Sequence, residues 1–106
     1  MYVYTVTGAF SDPAVASEWV EWLRDEHIAA VIAAGALGAD VIRLDDRPNA
    51  FEARYRFASR AAFEAYVSEH APRLRAEGAR RFPPAVVAYT RAVGEVVWSS
   101  ADRSGP

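Results

Sequence analysis

Two short runs, Ala39 to Leu44 and Phe51 to Ala58, flank the turn-rich pentapeptide Asp45-Asp46-Arg47-Pro48-Asn49. A β-hairpin follows from that pattern, and a hairpin in mid-chain limits how the flanking segments can be arranged. Parity suggests its register. Placing Arg43 opposite Glu52 sets Val41 against Arg54 and Ala39 against Arg56, and collects Ile42, Leu44, Phe51, Ala53, Tyr55 and Phe57 on one apolar sheet face.

A strand and a helix precede the hairpin, and a helix and a strand follow it. Tyr2 to Gly8 is β-branched or aromatic at nearly every position, which suits a strand covered on both faces. Asp12 and Pro13 read as the N-cap and first residue of a helix whose stripe is Val15, Trp19, Trp22 and Leu23. Glu18, Glu21, Arg24 and Asp25 form its wet side. Ile28, Val31 and Ile32 lag that stripe, which predicts a break or kink near Glu26 to Ile28, and Gly35 ends the helix at C′. Ser59 caps a second helix bearing Phe63, Tyr66, Val67 and His70, and Pro72 forces a restart before Leu74 and Phe82. A last strand lies within Ala85 to Trp98, with Gly94 expected at a bulge or bend. The polar tail, Ser99 to Pro106, is expected to be mobile.

Strand, helix, strand, strand, helix, strand is the split βαβ or ferredoxin-like order, an α+β fold with a four-stranded antiparallel sheet and helices on one face. One domain over residues 1–98 suits a chain of 106 residues. The other sheet face, expected to carry Ala39, Val41, Arg43, Glu52, Arg54 and Arg56, needs a cover, and a second copy of the chain supplies one as a homodimer.

Charge and composition narrow the function classes. The net charge is -2 and the twelve basic residues, all arginine, are spread from Arg24 to Arg103. That distribution gives no footprint for nucleic acid or an anionic membrane. No lysine means no side-chain Schiff base, and no cysteine removes thiol catalysis, disulfides and iron-sulfur ligation, in keeping with a cytoplasmic protein. The N-terminal Met-Tyr-Val-Tyr-Thr-Val has neither a basic lead nor a long apolar run, so no signal peptide or membrane span is expected. Two histidines without His-x-x-x-His spacing make no closed zinc site, and no metal or cofactor is expected.

The chain resembles a small bacterial family of unknown function within the dimeric α/β-barrel group. The resemblance rests on Tyr2 to Val6, on Trp19, Trp22 and Leu23, on Glu26-His27-Ile28 running to Gly35, and on Tyr55 preceding Ser59. It continues through Ala71-Pro72-Arg73-Leu74-Arg75, Gly78 and Arg81-Phe82. Ala29 stands where that family usually has proline, and Arg54 where a neutral polar residue such as glutamine is usual. The resemblance implies the fold and a dimer and transfers no activity.

The candidate site is the space between helices and sheet, where Trp19, Trp22, His27 and Tyr55 are expected to meet. His27 is a candidate acid or base oriented by Glu26 or Tyr55; its plainer reading is a histidine satisfying carbonyls freed at a helix break. The tryptophans read as core or as walls for a flat apolar ligand. Tyr55 is the tentative second catalytic residue, since its hydroxyl needs a partner on a dry face. Arg54 is a candidate for binding a carboxylate or phosphate, against a plain surface charge. His70 reads as a cap for the second helical segment. Two functions fit: a homodimer binding a small apolar or aromatic molecule, or a cofactor-independent monooxygenase, isomerase or lyase using His27. Haem binding through His27 is a third option.

Overall fold

The computed structural model describes residues 1–100. Its elements run β1 (Tyr2–Phe10), α1 (Pro13–Trp22), a π-turn (Leu23–His27), α2 (Ile28–Ala33), β2 (Gly38–Arg43), β3 (Ala50–Phe57), α3 (Arg60–Glu69), α4 (Ala71–Arg81) and β4 (Val87–Glu95). All strand pairs are antiparallel and the sheet order is β2-β3-β1-β4, which makes the ferredoxin-like expectation correct. From residue 101 on, the polar tail lies outside the described residues.

Local sequence chemistry sets the element ends. Asp12 accepts from the Ala14 N–H at 2.8 Å with Pro13 in the first turn, and Ser59 accepts from the Ala62 N–H at 3.1 Å. Each cap satisfies one of the amides that a helix start leaves without a partner. Gly35 takes φ 127°, the left-handed C′ conformation that costs other residues a steric penalty. Pro72 does separate α3 from α4, with His70 between them at φ -128°. The His70 ring does not cap α4; Arg73 Nη2 contacts its Nδ1 at 3.3 Å.

Two expectations need correction. Of the expected break or kink near Glu26 to Ile28, the break does not occur: the backbone stays helical, and the irregularity there is a wider turn in which the Ile28 N–H reaches back five residues to the Leu23 carbonyl. This wider turn takes up one extra residue, which explains why the apolar residues after His27 lag those before it. The hairpin register is also shifted by one residue: Val41 pairs with Ala53, Ala39 with Tyr55 and Arg43 with Phe51, while Asp40 pairs with Arg54 and Ile42 with Glu52. Both parities of β2 carry apolar residues, so alternation alone does not fix it. Ala39, Val41 and Arg43 therefore share the helix-covered parity, and Arg43 lies over the Phe51 ring, not beside Glu52. Nor does Gly94 bulge; it pairs regularly with Val3.

The core sits between the helices and one sheet face. Tyr2, Tyr4 and Phe10 of β1 join Ala53, Tyr55 and Phe57 of β3 against Trp19, Trp22, Leu23, Val31, Tyr66 and Leu74. The other face carries Val3, Thr5 and Thr7 beside Glu52, Arg54 and Arg56, so β1 is covered on one face within a single copy, not on both.

Candidate functional site

The π-turn positions His27. In a regular helix residue i+4 lies over residue i, which would set His27 above Leu23; the inserted residue sets it over Trp22 instead. The imidazole and indole stack with centroids 4.3 Å apart and planes 19° from parallel. From the other side α4 closes on the same indole, since a Cβ at Gly78 would come within 3.2 Å of Trp22 Cη2. A side chain there would need the indole to give by a few tenths of an ångström.

Beneath these helices lies a cavity of about 570 Å³, open to solvent on one side. Trp19, Trp22, His27 and Tyr55 all line it, so four of the five residues expected at a site are brought together. The fifth is not: Arg54 lies on the opposite sheet face, where its Nη2 donates to Glu52 Oε1 at 2.6 Å. Glu26 does not orient His27 either, as its carboxylate receives Arg81 at 3.2 Å.

Each lining group has a definable state. Burial pushes the His27 imidazole down to about 4, with Glu77 pulling weakly the other way, so the ring is neutral at physiological pH. Its nitrogens make no hydrogen bond among the described residues, and no buried side-chain nitrogen or oxygen is left without a partner there. The ring therefore has donor and acceptor capacity to offer the cavity. Burial likewise raises the Tyr55 and Tyr89 hydroxyls, and Tyr66 to about 12, keeping all three phenols protonated. Trp19 is tied down, its Nε1 donating to the Tyr89 hydroxyl at 3.0 Å.

Three contributors escape the sequence reading. The Tyr4 hydroxyl accepts from Arg75 Nη2 at 3.3 Å and from Arg91 Nε at 3.2 Å, and all three residues line the cavity. Tyr4 shares the parity of Tyr2 and Val6, and Arg91 shares that of Val87 and Tyr89. An arginine on the apolar parity of β4 is the signal that would have found it. Along that parity exposure rises from 5% at Val87 to 52% at Val93, which places Arg91 where the helical cover runs out.

Comparison with solved structures gives the same fold in proteins of distant sequence. A dimeric ferredoxin-like protein from an uncultured marine organism is 14% identical with a TM-score of 0.70, covering 93% of this chain and 97% of its own. The heme-degrader MhuD from Mycobacterium tuberculosis, with two hemes bound in its active site, is 18% identical with a TM-score of 0.69, covering 95% and 100%. A variant of SnoaB, a cofactor-independent oxygenase from Streptomyces nogalater, is 14% identical with a TM-score of 0.65, covering 95% and 98%. Comparison with curated protein sequences found no match. A family model matches residues 1–96, and the chain accordingly belongs to the family described as a domain of unknown function, DUF4286.

Proposed function

We propose that this protein is a small-molecule-binding homodimer whose ligand, a flat apolar or aromatic molecule, occupies the space between helices and sheet. One observation carries the reading: a cavity of about 570 Å³, open on one side and walled by Trp19, Trp22, Tyr55 and the stacked His27, lies between the helices and the sheet. A volume of several hundred Å³ with apolar walls and few polar groups is typical of small-molecule sites. The homodimer is formed through the uncovered sheet face, where Val3, Thr5 and Ile42 lie beside the Glu52–Arg54 and Asp40–Arg56 ion pairs. Thermal-shift screening of aromatic compounds tests the site, since a ligand that binds only the folded state raises its melting temperature. Wild type is expected to show concentration-dependent shifts that His27→Ala reduces; shifts unaffected by that substitution contradict the reading. Sedimentation at low micromolar concentration tests the dimer, and a clean monomer contradicts it.

A second reading, a cofactor-independent enzyme, is favoured by the place of His27 at the cavity wall, where its neutral imidazole keeps one unprotonated nitrogen with no hydrogen-bond partner among the described residues. The oxygenase named in SnoaB is the kind of chemistry it would perform. Oxygen uptake with anthrone as probe, lost in His27→Gln, supports this reading; uptake unchanged by the substitution removes His27 from it.

A further inference from the structure

The cavity carries charge of one sign only. Arg75 of α4 and Arg91 of β4 reach its wall, no aspartate or glutamate among the described residues lines it, and His27, Tyr55 and Tyr66 are neutral. Five other arginines, Arg24, Arg54, Arg56, Arg60 and Arg81, each lie within 4 Å of a carboxylate. Among the described residues Arg75 and Arg91 have no such partner, as is also true of Arg43, Arg47, Arg73 and Arg80, but of these six only Arg75 and Arg91 line the cavity. Instead both guanidinium groups point a nitrogen at one oxygen, the Tyr4 hydroxyl. Two like charges on one weak acceptor repel each other, and the arrangement gains most from an anion placed between them.

We infer that the ligand is an organic anion: an aromatic ring system lies against Trp22 and His27, and a single acidic oxygen group is held by Arg75, Arg91 and the Tyr4 hydroxyl at the open side. The inference rests on the proposed ligand site and adds the chemical class of what fills it. Apolar walls give the ring system its affinity, and the paired guanidiniums give orientation, because charge-assisted bonds to planar oxygen groups are directional. Neutral molecules of the same shape lose that second contribution only.

Two matched fluorescent probes test it, 8-anilinonaphthalene-1-sulfonate and its uncharged counterpart N-phenyl-1-naphthylamine. Arg75→Gln and Arg91→Gln alter exposed side chains without an ion pair to break, and circular dichroism checks their folding. Each substitution is expected to weaken the anionic probe about tenfold while moving the neutral probe by less than roughly twofold. Equal effects on both probes, or none, overturn the anion inference and leave the cavity reading standing. An anionic probe that instead depends on Arg54, tested with Arg54→Gln, overturns it by locating binding on the other sheet face. Failure of both probes to bind brings down the cavity reading and this inference together.

Discussion

Strand β3 shows two kinds of surface on one backbone. Its even residues, Glu52, Arg54 and Arg56, form exposed ion pairs, while its odd residues, Ala53, Tyr55 and Phe57, are almost wholly buried. Exposed pairs contribute little because water and salt screen them and the long side chains lose freedom. Buried aromatics contribute several times more through removal of apolar area from water. The contrast teaches that the stability of a single copy resides on the helix side, together with the cavity, and that the other face is available for assembly.

The largest expected effect comes from Phe57, which has 0% exposure and packs against Phe63 and Tyr66. Phe57→Ala should cost about 3–5 kcal/mol in denaturant unfolding; a loss below 1 kcal/mol would break the contrast between the faces. Next is pH. Folding holds His27 at about 4 against 6.5 for a free imidazole, so as pH falls the unfolded chain takes the proton first. Stability from this group is complete above 6.5, declines between 6.5 and 4, and levels off below. His27→Gln should remove a decline of roughly 3 kcal/mol from the wild-type curve, read as the difference between two pH titrations of unfolding. Parallel curves would mean that the ring is not desolvated.

Gly78→Val sharpens the account of how α4 meets Trp22. Branched bulk where even a Cβ lies 3.2 Å from the indole should cost about 1–3 kcal/mol and shift tryptophan fluorescence. An unperturbed spectrum would show that the helix stands further off. The smallest effect belongs to the open face: Arg54→Gln should change the unfolding free energy of the isolated copy by less than about 1 kcal/mol.

What the sequence made legible was local. Asp12, Ser59, Gly35 and Pro72 mark helix ends through their own backbone chemistry, and the spacing of Trp19, Trp22 and Leu23 marks a core stripe. The lag after His27 was visible, but a kink and a π-turn leave the same lag in sequence. Hairpin register was hidden because Val41 and Ile42 are both apolar neighbours, so one parity looks as good as the other. The meeting of Arg75 and Arg91 on Tyr4 spans 71 and 87 residues of chain, and no local pattern encodes it.

The measurement that tests the ligand site most directly is amide chemical-shift mapping by NMR during titration with N-phenyl-1-naphthylamine. The account predicts perturbations centred on Trp22, His27, Ala53, Leu74 and Gly78, around the helix-side cavity. Perturbations confined to Val3, Thr5 and Arg54 on the open face, or none at saturating probe, would contradict it.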